Sequence, residues 1–175
     1  MTPSPGDLGL MRQSEEPVLR HAVRAIVLDR KDRILLFKAF SDPDRSLYFW
    51  ITPGGGVTEG ESDEIALRRE LAEECGLHEF EIGPCIWVRE HVFPLPTTGQ
   101  LLRQRDRFYL VRVDSHEVDI TGWDEFERKF LAEPRWWALE EIVASEDSFA
   151  PGRLAHFLAD VIAGCVPADP LDTGT

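Results

Sequence analysis

The chain has 175 residues, enough for one domain with a sizeable core, and its 43% hydrophobic and 29% charged residues are an ordinary globular balance. No apolar run approaches the roughly 20 residues of a bilayer span, and the N-terminus has no charged segment leading into an apolar one, so neither a membrane protein nor a signal peptide is expected. The net charge of −13 argues against a general nucleic-acid binder, but not against a phosphorylated small molecule whose charge a metal ion neutralises.

In chain order, residues 1–16 are rich in Pro, Gly, Ser and Glu and are expected to form a mobile tail. His21 to Leu28 is a β-branched, apolar strand. Asp29 to Asp32 is a polar turn and Arg33 to Phe40 a second strand, so the two are expected to pair as a hairpin. Ser41 to Ser46 is a loop, and Leu47 to Thr52 a short aromatic strand that leads into Pro53 and a glycine turn, Gly54 to Gly56. A helix is predicted from Ser62 to Cys75. Ser62 is its N-cap, Asp63 and Glu64 favour its first turn, and Gly76 closes it in a left-handed conformation. Ile65, Leu71, Ala72 and Cys75 are expected to form its apolar side, opposite its glutamates.

Phe80 to Val92 is a long strand region broken by Gly83-Pro84, Pro94 to Gln100 a turn, and Leu101 to Val113 another strand. Residues 115–130 are polar, with a short helix near Asp124 to Lys129. Pro134 to Ala138 is a strand in which Trp136 and Trp137 must point to opposite faces. Leu139 to Ser145 starts a helix. Ala150 to Val166 holds another, with Leu154, Phe157, Leu158, Val161 and Ile162 as its apolar stripe. Residues 17–166 thus form one domain, and residues 167–175 are expected to fray. The three cysteines and five histidines show no metal-ligand spacing, so reduced thiols and a cytoplasmic location are expected.

The chemistry concentrates between Gly54 and Leu77. Glu70, Glu73 and Glu74 stand at i, i+3 and i+4 and share roughly 100° of one helix face. Such a cluster repels itself unless a cation sits on it, and carboxylates are the ligands that hard divalent ions prefer. Glycines let the backbone approach a metal and substrate closely. Arg69 keeps its charge and can brace neighbouring carboxylates with two parallel hydrogen bonds. Arg103, Arg105 and Arg107 alternate along their strand and share one face, where they could meet substrate phosphates or equally face acidic neighbours; Gln104, Asp106 and Phe108 share the other. Phe40, Tyr48 and Trp50 could stack on a base, although core packing is the simpler role for each.

Gly55, five residues, Glu61, seven residues, Arg69-Glu70-Leu71, Glu73-Glu74 and Gly76-Leu77 resemble the Nudix box at all nine of its specified positions. Chance does not account for nine agreements among residues each used at about 7%. The resemblance implies an α/β fold, an α/β/α sandwich with a mixed, curved β-sheet between helices. It implies a pyrophosphohydrolase that uses Mg²⁺ or Mn²⁺ to activate a water against phosphorus in a nucleoside diphosphate derivative. Glu70 and Glu74 are the implied metal ligands, the Gly55 carbonyl an added one, and Glu73 a further ligand or a group behind the ligands. Arg69 belongs to the catalytic set. The general base is Glu70 or a late-loop glutamate, Glu125 or Glu127, with Glu127 preferred. The partner is a small molecule, and a homodimer is compatible with the family. The alternative is a Nudix-fold module that senses a nucleotide without turnover, and a third reading is a purely structural interaction domain.

Overall fold

The computed structural model describes residues 16–95 and 98–174; the tail expected over residues 1–16 lies, apart from Glu16, outside them. The organising strand is β1 (Val18–Leu28). Along its whole length it runs parallel to β6 (Leu101–Arg112), from Val18 against Leu102 to Leu28 against Arg112. Its other edge takes β4 (Gly54–Gly56) antiparallel. The glycine turn expected there is therefore a three-residue strand. β5 (Ile82–Pro94) continues this half of the sheet antiparallel to β6, with register shifts around Gly83-Pro84.

The other half is built on β2 (Ile34–Phe40), which pairs antiparallel with β3 (Tyr48–Ile51) and β7 (Leu131–Trp137). The expected β1–β2 hairpin exists only at its base, where Leu28 opposes Ile34. Beyond that pair each strand finds other partners. The Asp29 carboxylate pins the turn, accepting from the backbone N–H groups of Lys31 and Arg33 at 2.9 Å each and from the Arg33 side chain. The two halves of the sheet part from there, and a cleft opens between them.

From Ala25 to Leu28 both faces of β1 are covered, which is why that part of its sequence is a continuous apolar run rather than alternating. Val23, Ala25 and Val27 pack with Leu67, Leu71 and Cys75 of α1 (Asp63–Cys75). Ile26 and Leu28 pack on the other side with Ile142 of α3 (Leu139–Ala144) and with Leu154, Phe157, Leu158 and Val161 of α4 (Leu154–Ile162). The result is the α/β/α sandwich. Trp137 joins the second of these clusters and Trp136 packs against the first, as strand alternation requires.

Three further elements differ from expectation. Ile65 is 57% exposed, and the buried stripe of α1 is Ala66, Leu67, Glu70, Leu71, Glu74 and Cys75, so two glutamates occupy the inward face. The last helix starts at Leu154 because Pro151 disfavours a helical Ala150; Phe149–Ala150 instead forms β8 alongside β3. The segment after Pro167 is docked rather than frayed. Leu171–Asp172 forms β9 parallel to β5, and Thr173 bonds the Val88 carbonyl with its N–H at 2.9 Å and its hydroxyl at 3.1 Å. No helix among the described residues is long and apolar enough to cross a membrane.

Candidate active site

α1 is capped as its sequence demands. The Ser62 hydroxyl accepts from the Ile65 N–H at 3.3 Å, and Gly76 takes φ 66° at the far end. The segment before α2 (Glu125–Phe130) then folds under the last turn of α1. Asp119 N–H donates to the Cys75 carbonyl at 2.9 Å, and the Trp123 indole N–H donates to the Glu74 carbonyl at 2.9 Å. Carbonyls that a helix end leaves unpaired are thereby satisfied, and α2 is delivered beside the glutamates.

Glu70, Glu74 and Glu127 each present one carboxylate oxygen within 4.8 Å of the other two. Glu70 and Glu74 are buried. Glu127 sits in a capping box: it accepts from Asp124 N–H at 2.6 Å through one oxygen, while its own N–H donates to Asp124 at 2.8 Å. Glu73 is exposed and stands outside the cluster, within 3.4 Å of Arg69 Nη1. Glu125 begins α2 on its exposed side.

Strand β4 supports the carboxylates. Gly54 N–H donates to Glu74 at 2.6 Å. At Gly55 a Cβ would lie 2.5 Å from Glu70 Oε2, so the absent side chain is what lets the carboxylate reach the strand. Arg69 braces the set. It donates to both oxygens of Glu61 at 2.9 Å, to the Gly56 carbonyl at 3.0 Å and to Glu70 at 2.6 Å. The Arg69 bonds to Glu61, with one from the Thr58 N–H, hold the Glu61 carboxyl down at about 2.

Burial pushes the Glu74 carboxyl up to about 8. The nearby Arg24 charge and the Gly54 N–H oppose that rise, and Glu70 and Glu127 add to it. Burial also raises Glu127, with Asp124, Glu70 and Glu73 adding to the effect. The three converging carboxylates form an all-oxygen donor set that a hard divalent cation fits and neutralises.

On the far side of β4 the charge reverses. Arg24 donates to the Gly54 carbonyl at 2.7 Å and the Thr52 carbonyl at 3.2 Å. The Arg20 guanidinium fills the space beside Gly56, where a Cβ would be 2.7 Å from its Nη2. Arg20, Arg24, Arg89, His91 and Gln104 line one wall of a cleft of about 400 Å³, and Phe40, Phe49, Phe126 and Phe130 line the other. Tyr48 and Trp50 do not line it: both bond Asp147, and Trp50 is in the core.

Arg103, Arg105 and Arg107 lie on the opposite face of β6 from Gln104, the face that does not line the cleft. Arg103 and Arg105 pair with Glu90, and Arg107 pairs with Asp63. The strand alternation was visible in the sequence, but which face looks inward depends on what covers each side. The sequence signal for Arg20 and Arg24 was two arginines four residues apart, hence on one face of a strand, the second of them inside an apolar run.

Carboxylates gathered beside guanidinium groups are the equipment of a hydrolase that handles phosphoanhydrides. Residues 18–161 match the NUDIX domain model, and the chain belongs to that family. It is 33% identical over 146 residues to an RNA pyrophosphohydrolase of Wolbachia pipientis subsp. Culex pipiens, covering 78% of this chain and 85% of the relative. A Rickettsia prowazekii protein of the same name is 28% identical over 77% of this chain and 86% of its own. The MutT Nudix hydrolase structure from Burkholderia pseudomallei superposes with a TM-score of 0.57 at 26% identity, over 82% of this chain and 98% of that one. The dihydroneopterin triphosphate pyrophosphohydrolase of E. coli shares the fold, with a TM-score of 0.59 at 19% identity over 83% and 99% of the two chains. The protein is a Nudix pyrophosphohydrolase acting on phosphoanhydride bonds.

Proposed function

We propose that this enzyme requires Mg²⁺ or Mn²⁺ and cleaves the pyrophosphate linkage of a nucleoside diphosphate derivative. The observation that carries the reading is the convergence of Glu70, Glu74 and Glu127 within 4.8 Å beside an arginine-lined cleft. In this reading Glu70 and Glu74 hold the metal, Glu127 completes the set or serves as general base, and the Gly55 carbonyl is an added ligand. Glu73 stands behind them, near Arg69. When bound, a divalent ion supplies charge against the diphosphate and acidity to a water. Arg69 keeps the carboxylates in register, and Arg20, Arg24 and Arg89 receive the substrate's phosphates in place of Arg103, Arg105 and Arg107. A carboxylate accepts one proton of the attacking water, the water oxygen bonds to phosphorus, and the bridging P–O bond breaks to release a phosphate.

The name shared by the sequence relatives supports including an RNA among the substrates tested. Three free thiols, one of them exposed, accord with a reducing cytoplasm. The experiment is a panel of nucleoside di- and triphosphates, nucleotide sugars, dinucleoside polyphosphates and a 5′-phosphorylated RNA, with Mg²⁺ and Mn²⁺ in ¹⁸O-labelled water. Metal-dependent turnover with label in one phosphate is expected, with Glu70→Gln inactive in a folded protein. An absence of turnover across the panel, or full activity of Glu70→Gln, overturns the reading.

A further inference from the structure

Behind the cleft arginines lies a polar pair that the reaction does not use directly. Gln104 and Asp106 are each 2% exposed and are neighbours on the inward side of β6. Gln104 Nε2 donates to Asp106 Oδ1 at 2.8 Å. That bond fixes the direction of the amide, whose other end accepts from Arg20 Nη1 at 3.2 Å. Asp106 also lies 3.5 Å from Arg24 Nε and 3.5 Å from His91 Nδ1. Arg24 Nε, Arg89 Nε and His91 Nδ1 are buried without a hydrogen-bond partner among the described residues. One carboxylate thus serves a wall carrying three guanidinium groups, and the unpartnered guanidinium nitrogens beside the cleft are donors that an anionic acceptor could satisfy.

We propose that Asp106 and Gln104 are positioning residues that hold Arg20 and Arg24 as a preset clamp for an anionic group of the substrate, a phosphate. The proposal rests on the cleft being the substrate site. A carboxylate next to an anion site weakens the attraction for the anion by its charge, so its charge does not explain its presence there. Its geometry does. Arg24 has a second carboxylate within electrostatic reach, Glu74, on the other side of β4. Asp106 keeps the guanidinium on the cleft side, where it can meet phosphate, rather than on the metal-binding side. Through Gln104 the same carboxylate sets Arg20. Preset donors lose less entropy when the phosphate arrives.

Charge and position predict opposite signs, and this makes the test sharp. Asp106→Asn keeps the size and removes one negative charge. If charge alone mattered, the KM for a phosphoanhydride substrate would fall. Positioning requires KM to rise by about tenfold or more, because the ion pair that orients Arg24 is lost, with kcat little changed. A KM that falls or stays level overturns the proposal. Gln104→Leu, made alone and in an Arg20→Ala background, gives a second measure that does not depend on Asp106→Asn folding well. The loss caused by Gln104→Leu should vanish once Arg20 is gone, whereas additive losses overturn the link. Calorimetry with inorganic pyrophosphate and Mg²⁺ separates this proposal from the functional reading. If no substrate is turned over, weaker pyrophosphate binding by Asp106→Asn still supports the clamp, and unchanged or tighter binding overturns it.

Discussion

Glu74 makes a sharp test of the idea that the fold concentrates negative charge for a cation to relieve. Its carboxyl rises from 4.5 in an unfolded chain to about 8 in the folded, metal-free protein. The folded state therefore holds a proton that the unfolded state has lost, and stability falls as pH rises between those two values. The full span corresponds to at most about 5 kcal/mol. Glu127, also raised, adds to the fall. His91, lowered by burial and the neighbouring Arg89 charge, opposes it until the unfolded imidazole has lost its proton, about one pH unit above 6.5. In the window from 6.5 to 8 the carboxylates dominate, and about 1–2 kcal/mol should be lost across it. Urea unfolding of EDTA-treated protein at the two pH values measures the loss. Glu74→Gln keeps an acceptor for the Gly54 N–H and should remove most of the slope, and saturating Mn²⁺ should abolish it in the wild type. A metal-free wild type whose stability is flat or rises across the window, or a Glu74→Gln protein with the wild-type slope, refutes the reasoning.

Gly55→Ala would set a Cβ 2.5 Å from the Glu70 carboxylate; Mn²⁺ affinity followed by paramagnetic broadening should fall by about tenfold or more, the size of a disturbed ligand support. Arg103→Ala and Arg105→Ala remove exposed pairs with Glu90 on the face away from the cleft, so kcat/KM should stay within about threefold of wild type and unfolding should shift by less than about 1 kcal/mol. Ending the chain after Asp169 deletes β9 and both Thr173 bonds to Val88. Differential scanning calorimetry should show Tm lower by about 2–8 °C, the equivalent of one or two hydrogen bonds.

Local chemistry made α1 legible. Ser62 and Gly76 mark its ends by capping, and the structure reproduces both boundaries. The short helix near Glu127 was visible for the same reason, since Asp124 and Glu127 stand at capping-box spacing. The inward face of α1 was not legible from apolarity. Its buried stripe includes Glu70 and Glu74, so an apolar count turns the helix toward Ile65, which is exposed. The motif located the glutamates, but the direction they face is a tertiary fact. The β1–β2 hairpin was overread for a related reason. A turn predicts that two strands meet, but not that each will leave the other for a better partner after one residue pair. The cleft arises from that parting, so the shared face of Arg20 and Arg24 was visible in the sequence but not what that face looks onto.

The three consecutive glycines of β4 join these two facts. In a strand, successive side-chain directions alternate between the faces of the sheet. The slot at Gly55 is taken by the Glu70 carboxylate and the slot at Gly56 by the Arg20 guanidinium. The backbone of Gly54 does the same with its own polar groups, giving its N–H to Glu74 and its carbonyl to Arg24. A side chain at either slot would displace one of the two charges. This strand is therefore the seam between an acidic half suited to cations and a basic half suited to phosphate. In the proposed reading, an acidic protein can take a polyphosphate because this strand keeps Arg20 and Arg24 on the opposite face from Glu70 and Glu74, close enough to act on one another but not paired. A diphosphate bridging the seam would satisfy both halves at once, its cleaved bond governed by the carboxylate side and its remaining groups by the arginine side.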